Sequence, residues 1–310
     1  MVVYTDSIHF AERILPQTAG HWSSASSELT VDTPDLGRFL FGGRFVFTSA
    51  LESDLLWRHL FVVESASQSQ YDLLIELNRA GESLPGGILC VAGEGNKFHG
   101  FKDRRWTASP GNLHVSVNLA PAQRIDHFGA GFMILAAVSV IDAIDTVPGL
   151  ENRAGIKWVN DILINDAKVC GVLAYTQTMA NAVTAAVLGI GLNVETTPSV
   201  APTPFVPTAG SLCDFSPDRR SCNQAKLLNE LMKSLDRNYR SLIDGNYEAL
   251  LNRYRERSVV IGRNVEIYSE DTGVEPHVLA SGCVKGLGQD LELILEGSER
   301  PISKGRLVLT

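Results

Sequence analysis

The sequence predicts a mixed α+β fold with a small all-β module at its C-terminal end. Three observations predict it. Short apolar runs bounded by Gly, Pro and Asn recur between residues 60 and 194, at lengths that suit strands. Phe128–Val147 is apolar almost all round, with Phe128, Phe132, Leu135, Val138 and Ile141 at three- and four-residue spacing, and reads as a buried central helix. After Ser258 the pattern changes to short strands with Gly turns, which marks a separate β unit.

The elements follow in order. Residues 1–45 have weak periodicity and many Ser, Thr and Gly, and read as irregular; apolar runs begin at Arg38–Leu40 and Phe45–Phe47. Leu60–Val63 is a short apolar strand, and Gln68–Arg79 is a helix with Tyr71, Leu74 and Leu77 at helical spacing. Gly86–Ala92 reads as a buried strand, Gly93–Gly111 as a loop, and Asn112–Leu119 as an alternating strand. After the central helix come strands at Gly155–Val159 and Ile162–Ile164, a turn at Asn165–Asp166, and strands at Val169–Thr176 and Thr184–Val194. Glu195–Asp218 holds five prolines and reads as loop, not helix. Asn223–Ile243 and Tyr247–Arg257 are amphipathic helices. The last strands are Val259–Tyr268, His277–Lys285, Leu291–Leu295 and Gly305–Leu309. The expected division is an accessory region (1–54), an α+β catalytic domain (55–257) and a C-terminal β-barrel-like domain (258–310).

Composition narrows the function. The chain has 310 residues, 45% of them apolar, which excludes disordered, collagenous and coiled-coil classes. A net charge of -8, from 35 acidic and 27 basic residues, argues against a dedicated nucleic-acid binder, so no DNA partner is expected. The five cysteines are scattered with no C-x-x-C pair, which argues for a reducing compartment and against a zinc knuckle. The N-terminus lacks an apolar signal core, and the most apolar stretch, Phe132–Ile141, is about half a membrane span. The expectation is a soluble, cytoplasmic chain with no membrane partner.

Three constellations carry chemistry. Lys157-Trp158-Val159-Asn160-Asp161, followed by Lys168 and Gly171, places a lysine at the end of an apolar strand and a second lysine just past the next turn. Two ammonium groups and a carboxylate suit a phosphate-bearing ligand with Mg²⁺ held at Asp161. The plainer alternative is that Lys157 snorkels, Asn160-Asp161 makes a turn and Lys168 is solvated. Residues 97–105 hold Lys97, Lys102, Arg104, Arg105 and His99 against one Asp, with Gly93, Gly95 and Gly100 to let a backbone approach an anion and Trp106 to stack on a nucleobase. Its spacing is not that of a P-loop, and a solvated surface loop is the alternative. Gly189-Ile190-Gly191-Leu192-Asn193 ends a strand but precedes a proline-rich loop, so it is no Rossmann fingerprint; Gly191 admits a ligand or another backbone.

In this order, the three blocks resemble the biotin–protein ligase (holocarboxylase synthetase) family, related to lipoate ligases. Lys157–Asp161 matches its K-W-P-N-D block with Val159 for proline; Lys168–Leu173 continues it, Gly189–Asn193 matches G-x-G-x-N, and Pro207–Leu212 its later P-T-S-L segment. The resemblance implies a class II synthetase-like catalytic domain and a C-terminal SH3-like β-barrel. It implies ATP and Mg²⁺ as cofactors and biotin, a small-molecule carboxylate, as substrate. A biotinyl-AMP intermediate would pass biotin to a lysine on the biotin carboxyl carrier domain of a carboxylase. By the same resemblance Lys157 contacts the carboxylate and α-phosphate, Asp161 holds Mg²⁺ or orients the acceptor amine, and Asn160 supports it. Lys168, Gly171, Gly191 and Asn193 line the acyl-adenylate site, Trp106 packs on adenine with Asn112 nearby, and Ser67 contacts biotin. Gly100 and Arg104 match the family's G-R-G-R-x-G-R segment, whose second arginine falls on Phe101; Lys102 or His99 is the available substitute. A lipoate- or octanoate-type ligase and a non-catalytic biotin- or nucleotide-binding paralogue are the alternatives. Sheet-edge dimers in the family make a homodimer a further expectation, and no helix-turn-helix precedes the catalytic region.

Overall fold

A computed structural model describes residues 1–25, 34–81, 84–270, 275–298 and 300–310. In chain order the elements are β1 (Val2–Thr5), α1 (Ile8–Ile14), β2 (Ser23–Ser24), α2 (Pro34–Phe41), β3 (Phe47–Ala50), β4 (His59–Ala66), α3 (Gln70–Arg79), β5 (Ile88–Gly95) and β6 (Leu113–Leu119). There follow α4 (Phe128–Ile144), β7 (Gly155–Lys157), β8 (Asp161–Ile164), β9 (Ala167–Met179) and β10 (Ala182–Leu192). The chain continues through α5 (Leu212–Phe215), α6 (Gln224–Ile243), α7 (Tyr247–Glu256), β11 (Asn264–Tyr268), β12 (Val278–Leu287), β13 (Leu293–Leu295) and β14 (Arg306–Leu309).

Ten strands form one mixed sheet in the order β2-β3-β1-β4-β5-β6-β10-β9-β8-β7. The pairs β1–β4 and β4–β5 are parallel and the rest are antiparallel. This corrects the reading of residues 1–45 as irregular. β1 lies inside the sheet between β3 and β4, and α1, capped by the Ser7 hydroxyl, buries Phe10, Ala11 and Ile14. Strands of two to four residues are too short to show a period, which is why these residues look irregular in the sequence. Part of that expectation, residues 26–33, lies outside the described residues.

The sheet buries both faces, and period-two alternation sorts its residues between them. Leu188, Ile190 and Leu192 of β10 face the core around α4, whose residues are nearly all buried, with α6 packed beyond it. Val187 of β10 and Cys90 and Ala92 of β5 belong to a second core, under α2 and α3. Gly189 and Gly191 share that second face by alternation, and there the packing opens into a cavity.

At the C-terminal end, β11–β14 form a four-stranded antiparallel sheet in the order β13-β12-β11-β14. A barrel was expected; the observed order has β13 and β14 as its two ends. This sheet is tied to the main one rather than hung from a linker. Ile156 N–H donates to Arg257 O at 2.7 Å, Val259 N–H donates to Ile156 O at 2.9 Å, and Trp158 Nε1–H donates to Leu291 O at 2.6 Å. The long loop after β10 is also not loop throughout: Ser211 and Asp214 form a capping box that starts α5. The five cysteines are free, four of them buried. No helix among the described residues is long and apolar enough to cross a membrane.

Candidate active site

Strand register builds one side of the cavity. Lys157 pairs with Asp161, Asp161 with Gly171, Gly171 with Gly191, and Gly191 with His114. Directly paired residues point to the same face. Five strands therefore present a single transverse row: a lysine and a carboxylate at one end, two glycines in the middle, a histidine at the other. The turn that carries Asn160 is fixed from outside. Tyr254 Oη–H donates to Val159 O at 2.8 Å, the Asn160 amide donates to Val172 O at 2.9 Å, and Val172 N–H donates to Asn160 O at 3.0 Å. The Trp158–Val159 peptide is cis.

A hairpin lies over that row. Trp106 N–H donates to Phe98 O and Gly100 N–H to Arg104 O, closing residues 98–106 on themselves. The His99 ring binds the Asp72 carboxylate at 2.7 Å and fastens the hairpin to α3. At its end the Trp106 indole lies over the glycines. A Cβ on Gly191 would sit 2.5 Å from the indole ring, and one on Gly171 3.4 Å from it. The Trp106 indole N–H points to His114 Nδ1 at 3.4 Å. His114 is buried, which pulls its imidazole down to about 4 and keeps it neutral near pH 7. With Nδ1 accepting from the indole, Nε2 carries the proton and faces Ser109 O at 3.3 Å.

The third wall is the proline-rich loop after β10. Lys168 N–H donates to Thr208 O and Gly210 N–H to Lys168 O, so the loop runs beside the start of β9. Pro198, Val200, Ala201, Thr203, Val206 and Ala209 line the cavity from it. The cavity volume is about 430 Å³, within the usual range for small-molecule sites. Among the described lining residues, four cations (Arg104, Arg105, Lys168 and Arg306) face one carboxylate, Asp161. Lys168 Nζ bonds Asp161 at 2.6 Å and stands 5.6 Å from the Trp106 ring centroid. The surplus positive charge over an apolar floor suits a polyanion attached to a flat or apolar group.

Lys157 sits just behind this wall rather than in the lining. Its buried Nζ donates to Phe205 O at 2.6 Å. Burial pulls its pKa down, Asp161 pushes it back up, and Lys168, Arg306 and Arg104 pull it down further. An oxygen of the loop thus occupies the place where a ligand oxygen would bind the ammonium.

The other sequence-derived candidates divide. Gly100, Arg104, Trp106, Asn160, Asp161, Lys168, Gly171, Gly191 and Asn193 all line the cavity. Asn193 lies at its floor, with its amide donating to Gly210 O at 2.9 Å and its Oδ1 buried without a partner. Three are placed elsewhere. Ser67 is exposed and outside the lining; Ser69, two residues on, lines the cavity and caps α3 through Asp72 N–H. Lys102 turns away and pairs at 2.8 Å with Glu270, just past β11 of the C-terminal sheet. Asn112 is fully buried and structural: its Oδ1 accepts from Val194 and Thr196 N–H, and its amide donates to Thr196 O. The residues missed were Arg306, the loop residues 198–206 and His114. Only His114 left a signal, a histidine on an alternating strand. Among the described residues no group of three or more His, Cys, Asp or Glu is placed to hold a metal ion.

Comparison with known proteins gives three results that bear on this geometry. Residues 65–193 match the model of the biotin/lipoate A/B protein ligase family. The bifunctional ligase/repressor BirA of Bacillus subtilis is 26% identical over 219 residues, covering 69% of this chain and 64% of that protein. The biotin–[acetyl-CoA-carboxylase] ligase of Mycobacterium tuberculosis is 29% identical over 218 residues, 68% of this chain and 75% of that protein. Among solved structures, the biotin protein ligase of Aquifex aeolicus in complex with biotin and ATP superposes with a TM-score of 0.62 at 19% identity. The superposition covers 82% of this chain and 99% of that one, and shares the fold.

Proposed function

We propose, from the match of residues 65–193 to the biotin/lipoate A/B protein ligase family, that the chain is an ATP-dependent biotin–protein ligase. It would join biotin to AMP and pass the biotinyl group to a lysine amine on the biotin carboxyl carrier domain of a carboxylase. The observation that carries the proposal is the row Lys157–Asp161–Gly171–Gly191 under a cationic, apolar-floored cavity. Two ammonium groups and a carboxylate at one end of a glycine floor support a phosphate-bearing ligand.

In the first step a biotin carboxylate oxygen attacks the α-phosphorus, and the bond to the leaving pyrophosphate breaks. Negative charge grows on the phosphoryl oxygens. Lys157, now held by Phe205 O, would exchange that carbonyl for a phosphoryl or carboxylate oxygen. Lys168, anchored by Asp161, would hold the next oxygens. The Trp106 indole would give a stacking face to the adenine or cover the biotin ring. In the second step the acceptor amine attacks the acyl carbon, AMP leaves, and Asp161 is the carboxylate placed to orient the amine. Mg²⁺ fits this site as an ion carried by the phosphates: Asp161 would give it one carboxylate, and the phosphates and water the rest. When bound it would neutralise phosphate charge. The C-terminal sheet would serve as the family's SH3-like module.

The test is biotin-dependent ATP–pyrophosphate exchange by the purified chain, with lipoate and octanoate as competitors. Exchange specific to biotin supports the proposal. Exchange with lipoate or octanoate alone moves the substrate class. Calorimetric binding of biotin or nucleotide without exchange assigns a non-catalytic paralogue.

A further inference from the structure

Among the described residues, the C-terminal sheet enters the cavity through one side chain. Arg306, the first residue of β14, lines it, and its guanidinium carbon stands 3.4 Å from the Phe205 ring centroid. Its Nε is buried and has no hydrogen-bond partner. The carboxylates nearby are already engaged: Glu270 with Lys102 at 2.8 Å and Asp161 with Lys168 at 2.6 Å. Burial and the neighbouring Arg104 disfavour the Arg306 charge, Glu270 and Asp161 offset this only in part, and Arg306 in turn disfavours the charge of Lys157. An arginine used only for packing lays its stem on apolar surface and keeps its head in water or on a carboxylate. Here the head lines a cavity beside Arg104, hydrogen-bonded to neither nearby carboxylate through Nε, which is buried and unmet.

We propose that Arg306 is a phosphate-binding residue of this site, gripping the pyrophosphate end of a nucleoside triphosphate with the guanidinium fork that the 98–106 hairpin lacks at Phe101. The proposal rests on the ATP-dependent reading above and deepens it. Stacking on the Phe205 face leaves the in-plane N–H donors of the guanidinium directed outward, as bidentate phosphate binding requires. Phe205 also holds Lys157 through its carbonyl. One loop residue thus sits between the two cations, and a polyphosphate that displaces its carbonyl from Lys157 meets Arg306 next. In adenylate formation the α–β P–O bond breaks and pyrophosphate departs with the electron pair. Arg306, half-buried, would take up that charge.

The experiment measures binding of inorganic pyrophosphate to the full chain by calorimetry, for the parent, Arg306→Gln and Arg306→Lys, with thermal melting as the control for folding. Arg306→Gln is expected to weaken binding at least about tenfold, and Arg306→Lys by about three- to tenfold, because an ammonium keeps the charge but not the fork. In exchange kinetics KM for ATP rises by a similar factor while KM for biotin stays unchanged. Equal pyrophosphate affinity in the parent and Arg306→Gln, or no binding by the parent, overturns the proposal. If Arg306→Gln melts early, Arg306→Lys decides, and full affinity in that variant overturns it. Arg306-dependent pyrophosphate binding in a parent with no biotin-dependent exchange would sink the ligase reading and leave this phosphate site standing.

Discussion

The sheet side and the loop side of the cavity are held by different means. On the sheet side, Lys157, Asp161, Gly171, Gly191 and His114 owe their alignment to backbone register across five strands. A one-residue slip in any of those pairings would turn a side chain of the row to the opposite face, so the hydrophobic pattern that fixes the strands also fixes the site. On the loop side, the 98–106 hairpin, the 198–209 loop and β14 meet through individual contacts: His99 on Asp72, Phe205 on Lys157 and Arg306, Lys102 on Glu270. Each can change without unpicking a strand. The difference teaches that the strand row is a property of the core, whereas the wall facing it is assembled from parts that can vary one at a time.

That contrast can be broken first at Lys157. Lys157→Ala is expected to lower exchange by about 10²–10³-fold with the fold intact, since no loop cation stands in the row. Because burial lowers the Lys157 pKa, parent activity should decline on the alkaline side below the ordinary lysine range. An alkaline limb in that ordinary range would contradict this placement of Lys157.

His114, at the other end of the row, makes stability depend on pH. Its folded pKa of about 4 lies below the ordinary histidine value of 6.5, so between them the unfolded chain binds more protons. Stability is therefore full above about 6.5 and falls as the pH drops through about 4, by an amount on the order of 3 kcal/mol. Urea midpoints across that window should show the loss, and His114→Gln should remove its share of the slope.

The two glycines sharpen the comparison within the row. Gly191→Ala drives a methyl into the Trp106 indole and should cost ~1–3 kcal/mol or displace the ring, whereas Gly171→Ala meets only ordinary contact distances and should change stability by under ~0.5 kcal/mol. Equal denaturation midpoints for the two variants would show that the indole does not rest on Gly191. The smallest effect is expected on the loop side. Phe101→Arg adds a fork beside Arg104 and should slow release of the acyl-adenylate by about three- to fivefold, measured by chase with unlabelled nucleotide.

How much was legible in the sequence follows the same division. Lys157, Asp161, Lys168 and Gly171 lie within fifteen residues, on short strands joined by tight turns, so local spacing already brings them together. The central helix was legible because it is apolar on every side. Asn112 was misplaced because its partners, Val194 and Thr196, lie more than eighty residues away, and only the fold shows that its side chain is consumed in holding that loop. Lys102 looked like part of a basic cluster, but Glu270, just past β11, draws it off. Arg306 sits in an ordinary strand sequence, Gly305–Leu309, whose neighbours give no hint that it faces a cavity on another sheet. The 1–54 region was unreadable for the opposite reason. β1 is held by parallel pairing with β4, more than fifty residues on, rather than by any pattern of its own.

The placement of Trp106 has an optical consequence. Of the four tryptophans, Trp57 and Trp158 are buried with their indole N–H groups bonded to Met232 O and Leu291 O, and their emission should stay constant as ligands come and go. Trp106 rests on the cavity floor against an imidazole that changes charge in acid. The chain thus carries an intrinsic fluorophore inside its own cavity, and occupancy can be followed by emission without a label.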